Sequence, residues 1–142
     1  MVEQIKAVSK GMYTEGNSHN HKVIIDEPQN MGGTDQGANP LATLLISLTG
    51  CENAIANFVA KEINFDLKGI EFEVRGDIDP RGMMGDETVR PYFKKITVDA
   101  KVSTSETDAR VQELQKIVDA RCPIYTTMVA ADVEMVANWS KA

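Results

Sequence analysis

Two cysteines, Cys51 and Cys122, carry the most reactive side chains of the chain, and most of its length separates them. A thiolate is both a nucleophile and a metal ligand, so each position can be inert core, a reactive thiol, or half of a pair. Cys51 lies in the run Asn39 to Asn64, NPLATLLISLTGCENAIANFVAKEIN. There Leu44, Leu48, Cys51, Ile55 and Phe58 recur at spacings of three and four, which places Cys51 on one apolar helical stripe. A free cysteine in such a stripe behaves as a small hydrophobe, and mid-helix it gains little from the helix dipole. On these residues alone inert core is the favoured reading.

Cys122 stands between Arg121 and Pro123. If Pro123 opens a short helix, the free amides and positive dipole end at its start would stabilise a Cys122 thiolate. Arg121 could add a charge, although neighbours in sequence often point elsewhere. The alternative, a thiol filling a gap at a helix junction, is equally compatible with the residues.

Other chemistry is sparse. His19 and His21 flank Asn20 with no CxxC or HxxxH partner, so they read as surface residues and no metal is expected. The loop holding Gly32, Gly33 and Gly37 lacks the GK[ST] ending of a phosphate loop, and no GxSxG elbow occurs. No cofactor is implied.

The elements that must position the two thiols read as ββαββααβ. Residues 2–14 form a first strand interrupted by Gly11, followed by a turn at 15–20 with its bend at Gly16 and Asn17. Residues 21–26 return as a second strand, completing a hairpin. Pro28 ends that strand, and a long glycine-containing loop, of a length usually functional or mobile, leads to Asn39. Asn39 is the expected N-cap of the long helix, with Pro40 at its first position. The earlier half of that helix is expected to be the more fully buried, with Asn53, Asn57 and Lys61 on the side opposite the apolar stripe.

Residues 67–79 alternate Ile70, Phe72 and Val74 against Glu71, Glu73 and Arg75, a half-buried strand. After a turn-rich loop at 80–88, a second alternating strand covers 92–102 and is expected to pair antiparallel with the first. Its inward side runs Tyr92, Lys94, Ile96, Val98, Ala100 and Val102. Caps among residues 103–105 introduce a helix over 106–121, with Val111, Leu114, Val118 and Cys122 on one face. Pro123 disfavours helical geometry at Cys122 and begins a short helix to Ala130. A closing strand covers 133–137, with Trp139 near the end.

At 142 residues the chain is expected to form a single domain, residues 1–142, with a real core. Its 42% hydrophobic and 25% charged residues are those of an ordinary globular protein. A net charge of −6 and the lack of a Lys/Arg cluster argue against nucleic-acid partners and anionic membranes. The N-terminus lacks the apolar run of an export signal, and the apolar run at 41–48, broken by Thr43 and Ser47, is too short for a bilayer. A cytoplasmic location follows as the expectation. In a reducing compartment a static disulfide is disfavoured, which leaves a transient one as the sharper possibility.

The stretch Asp26 to Cys51, DEPQNMGGTDQGANPLATLLISLTGC, resembles the OsmC/Ohr family of bacterial proteins, as does the Arg121-Cys122-Pro123-Ile124 motif after the second helix. The order of elements agrees along nearly the whole chain, and the general OsmC-like branch is the nearer match. The resemblance implies an α+β fold with antiparallel sheets wrapped around a long central helix in an intertwined homodimer. It further implies a thiol peroxidase acting on organic hydroperoxides, with Cys51 as the attacking thiol, Cys122 as the resolving one, and a dithiol reductant as partner. An apolar surround at Cys51 would suit a lipid-like hydroperoxide.

Active family members carry an Arg in the N-terminal hairpin and a Glu just after the NP of the central helix. Here Leu41 follows Pro40, the first Arg is Arg75, and Tyr13 or Lys10 occupies the Arg region. Lys10, Arg90 and Glu27 are conceivable substitutes without support from spacing. Glu52 points about a quarter-turn from Cys51 on a helix and does not read as a replacement. The alternatives are therefore a non-enzymatic dimer binding a small apolar ligand at its interface and, last, another thiol reaction with sulfur donors or electrophiles.

Overall fold

The computed structural model describes residues 1–142 and has the mixed α+β composition expected. The chain divides into two compact units, Met1–Ile46 and Ser47–Ala142, with one long helix running across the division.

The first unit is an antiparallel meander of β1 (Lys6–Lys10), β2 (Tyr13–Ser18) and β3 (His21–Ile25). The sequence reading of one strand over 2–14 and a turn over 15–20 is corrected here. Lys10 pairs with Tyr13, which leaves a two-residue turn at Gly11-Met12, and Gly11 supplies the left-handed φ of 60° that it needs. Gly16 is not a bend but a ladder residue opposite Val23, and the second turn falls at His19-Asn20. Both histidines are exposed.

The loop from Asp26 to Asn39 is held by a buried carboxylate. Asp26 accepts hydrogen bonds from the Thr34 hydroxyl at 2.6 Å and from the amides of Glu27, Thr34 and Gln36 at 2.8–3.3 Å. The Thr34 hydroxyl, above all, holds its carboxyl below the usual range despite burial. A side chain at Gly33 would overlap the Glu27 carbonyl, so this glycine marks close backbone approach and not phosphate binding. Helix α1 (Pro40–Glu62) opens as expected, with the Asn39 side chain accepting from the Ala42 amide at 2.8 Å.

In the second unit, β4 (Gly69–Asp77), β5 (Lys95–Ser103) and β6 (Glu134–Lys141) form a sheet in that order. β4 and β5 pair antiparallel as expected, whereas β6 lies parallel to β5. Ile96, Val98, Ala100 and Val102 are buried, the period-two face of β5; Tyr92 and Lys94 precede the strand and are exposed. The loop at 80–88 contains one helical turn, α2 (Pro80–Met83), which Asp79 caps.

Helices α3 (Asp108–Arg121) and α4 (Pro123–Ala130) follow β5. The cap of α3 is Thr107, whose hydroxyl accepts from the Arg110 amide, and not a residue of 103–105. Val111, Leu114 and Val118 join Ala56, Val59 and Ala60 of α1 on the sheet residues Ala100, Val102 and Trp139. Arg110 completes this join by donating to the Ile63 carbonyl at 2.8 Å, just past the C-terminus of α1.

The buried face of α1 is not the stripe the spacing suggested. Leu48, Glu52, Ala56, Val59 and Ala60 are buried, while Leu44 and Phe58 are 41% and 58% exposed. The early half of the helix, expected to be the more deeply buried, is therefore the more open in the single chain. Apolar residues occupy several faces there, so periodicity alone cannot choose among them. α1 is also long and apolar enough, with mean hydropathy 1.2, to pass the length test for a bilayer span, a test that core helices of globular proteins pass as well.

Candidate functional site

The two cysteines, 71 residues apart in sequence, meet in the second unit with their sulfurs 3.0 Å apart. α1 carries Cys51 at the border between its buried and open faces, so the residue is half-buried. Pro123 forces the backbone of Cys122 out of the helix, to φ −69° and ψ 115°, and so separates α3 from α4 at this point. Cys122 is fully buried at that corner and caps α4, its sulfur accepting from the Tyr125 amide at 3.4 Å.

The two thiols are not equivalent. The α4 amides pull the Cys122 thiol toward ionisation, as its position at a helix start suggested. Burial, together with the adjoining Cys51 sulfur, outweighs them and pushes the thiol well above its ordinary value. Cys122 therefore keeps its proton and donates it toward Cys51. Of the two readings open for Cys122, burial favours the thiol that fills the helix junction. Arg121 adds no charge there, because its guanidinium turns to Glu62 on α1 with contacts of 2.6 and 2.9 Å.

Of the conceivable activators, Arg90 is committed elsewhere. Its guanidinium donates to the carbonyls of Phe93 and Asp132 at 2.7 and 2.9 Å and stacks over Tyr92. Lys10 and Glu27 belong to the first unit, Lys10 on the exposed strand β1 and Glu27 at the start of the Asp26 loop.

Two acidic residues lie near the cysteines in sequence, Glu52 directly after Cys51 and Asp119 one turn before Cys122. Glu52, next to Cys51, is fully buried, and neither carboxyl oxygen has a hydrogen-bond partner. Asp119, one turn before Cys122 on α3, has one buried oxygen without a partner; the other accepts from Gln115 at 3.3 Å. Burial, and then the Asp119 charge, push Glu52 up to about 8; burial raises Asp119 as well. Tyr125 completes the cluster, its phenol pushed up to about 12 by burial and by the charges of Asp119, Glu52 and Cys122. The signal for Glu52 was present in the spacing: it falls on the ridge Leu48, Glu52, Ala56, Ala60, where every other member is apolar.

The family model for "OsmC-like protein" matches residues 33–136. Among solved structures, an OsmC-like protein from Mycoplasma pneumoniae superposes with a TM-score of 0.86 at 20% identity, covering 100% of this chain and 98% of its own. An organic hydroperoxide resistance protein from Legionella pneumophila gives 0.74 at 16%, covering 99% and 97%. The organic hydroperoxide resistance protein OhrB of Bacillus subtilis gives 0.65 at 22%, covering 99% and 98%. At these identities the structures establish a shared fold. No protein of curated function matches the sequence.

Proposed function

Because the chain belongs to the OsmC-like protein family, we propose that it is a thiol-dependent peroxidase that reduces organic hydroperoxides. The observation that carries this reading is the 3.0 Å contact in which the Cys122 thiol donates to the Cys51 sulfur. Cys51 is the thiol a peroxide can reach, being half-buried, while Cys122 is sealed and protonated. A thiolate at Cys51 attacks the peroxide, forming a sulfenic acid and releasing an alcohol. Cys122 then condenses with the sulfenic acid to give a disulfide and water. Their sulfurs need to close from 3.0 Å to about 2.05 Å. An external dithiol reductant restores the pair.

The open side of α1 near Cys51 is apolar, with Ile55 half-buried and Phe58 exposed, which suits an organic hydroperoxide over hydrogen peroxide. Leu44, Ile46 and Phe58 leave large apolar side chains of one helix uncovered, which supports a homodimer as the working form. A cytoplasmic location provides the reductant pool. A second reading, a non-enzymatic dimer binding a small apolar ligand, draws on Leu41 and the Arg-free hairpin, where family members carry their activating pair.

Cumene hydroperoxide and a dithiol reductant, given to the purified protein and to Cys51→Ser in parallel, separate the two. The peroxidase reading expects consumption by the wild type alone. Equal, background rates would leave ligand binding as the function.

A further inference from the structure

Two sulfurs in contact can act as a pair of donors as well as a redox couple. The Cys51 and Cys122 sulfurs are 3.0 Å apart, and the core that Ala56 and Val59 share with Leu114 and Val118 fixes the helices that carry them. Thiolates are soft ligands and select soft, thiophilic centres. No group of three or more His, Cys, Asp or Glu side chains is placed to hold a metal ion, so the pair does not belong to a four-coordinate zinc site. Its ligand must be satisfied by two sulfurs. A linear two-coordinate ion holds its sulfurs on opposite sides of itself, much farther apart than these. A pyramidal arsenic(III) centre, with bond angles near a right angle, holds two sulfurs side by side, close to the separation of Cys51 and Cys122. Its third position can carry an organic group, and the helix beside Cys51 suits one. Ile55 is half-buried and Phe58 exposed, one and two turns further along the same stripe.

We propose that Cys51 and Cys122 form a chelating site for monosubstituted arsenic(III) compounds, which bear one organic group and two hydroxides, with the organic group lying over Ile55 and Phe58. The ligand enters at Cys51, which is half-buried, because Cys122 is fully enclosed. The Cys51 sulfur forms an S–As bond as one As–O bond breaks, and its thiol proton leaves with the hydroxide as water. Arsenic then stands beside the second sulfur. The Cys122 sulfur forms the second S–As bond, and the remaining hydroxide takes the Cys122 proton and leaves as a second water. The enclosed thiol therefore needs no external base, since the leaving group carries its proton away. No electrons are transferred: arsenic stays trivalent and both sulfurs end as thiolate ligands. The second bond closes within one molecule between groups already in contact, which is the source of the affinity. Occupancy ties up both thiols, so arsenic binding and hydroperoxide reduction exclude each other, but the site itself does not depend on the peroxidase reading.

The test uses the reduced full-length protein and phenylarsine oxide, which hydrates to this form, with intact mass and thiol titration as readouts. One equivalent should add one phenylarsenic group in place of two hydrogens and leave no titratable thiol. Excess mercaptoethanol, a monothiol, should leave the adduct in place, whereas dimercaptopropanol should strip it. Cys122→Ser should bind through Cys51 alone, about 10²-fold more weakly, and release the arsenical to monothiol. Cys51→Ser should not bind while folded, because Cys122 is enclosed. In urea the wild type should lose most of its advantage over Cys122→Ser, since unfolding separates the sulfurs. A folded wild type that keeps a titratable thiol at saturation, or whose adduct yields to monothiol, would overturn the site without recourse to any variant. Equal affinity in the folded and unfolded wild type would overturn it too, by showing that the fold builds nothing. A wild type that binds arsenic in this way but consumes no hydroperoxide would support the site and remove only the peroxidase reading.

Discussion

Replacing Glu52 by Gln should favour the folded protein more at neutral pH than in mild acid. Burial and the Asp119 charge raise this carboxyl from 4.5 to about 8 in the folded chain. A carboxyl raised on folding binds its proton more tightly in the native state, so stability falls as pH rises above the unfolded value and levels off beyond the folded one. Between about pH 4.5 and pH 7 the unfolded chain has released the proton and the folded chain has not. At about 1.4 kcal/mol per unit, the 2.5 units separating 4.5 from neutrality amount to about 3 kcal/mol. The buried Gln amide carries a cost of its own, but one that does not vary with pH. Asp119 titrates in both proteins and largely cancels in the difference. Urea unfolding at fixed protomer concentration, with dithiol present, measures both proteins across this range. The gap between them should widen by about 3 kcal/mol from mild acid to neutrality. Parallel pH curves would mean that Glu52 is ionised in the folded state, and the account of its environment would be refuted.

Cys122→Ser should stop at the first oxidation step: Cys51 sulfenic acid, trapped by dimedone, should accumulate, and excess peroxide should drive it to the sulfinic form seen by intact mass. Leu114→Ala should cost about 2–5 kcal/mol in urea unfolding, because Leu114 is fully buried where α1 and α3 meet the sheet. In the first unit, the Asp26 carboxyl is held below its usual range, so its contribution is present above the unfolded value and lost as pH falls through the folded one. Amide exchange at Thr34 and Gln36 should lose protection in acid, and Asp26→Asn should show reduced protection already at neutral pH. Gly33→Ala should loosen the same loop, since its methyl group would meet the Glu27 carbonyl.

Much of this fold was legible because single residues dictate local geometry. Asn39-Pro40 begins α1, Pro123 breaks the backbone at Cys122, and the alternations at 70–75 and 96–102 mark two strands with one buried face each. The hairpin was misplaced because Gly11 and Gly16 both offer a turn, and only the pairing of Lys10 with Tyr13 selects between them. The buried face of α1 was misassigned for a related reason. Leucine, isoleucine and alanine surround its first half, so tertiary contacts choose the face. That choice determined what was missed at the site, because the rotation carries Glu52 into the interior and brings Cys51 to its border. The meeting of Cys51 with Cys122 could be expected from resemblance, but the proton held on Cys122 follows from burial, which spacing does not report.

Whether Cys51 and Cys122 form one redox unit can be read from the intact mass of the chain after a single equivalent of cumene hydroperoxide. A redox pair should lose two hydrogens, reversed by reductant, with the disulfide mapped to the peptides holding Cys51 and Cys122. An unchanged mass, or added oxygen without a disulfide, would contradict it.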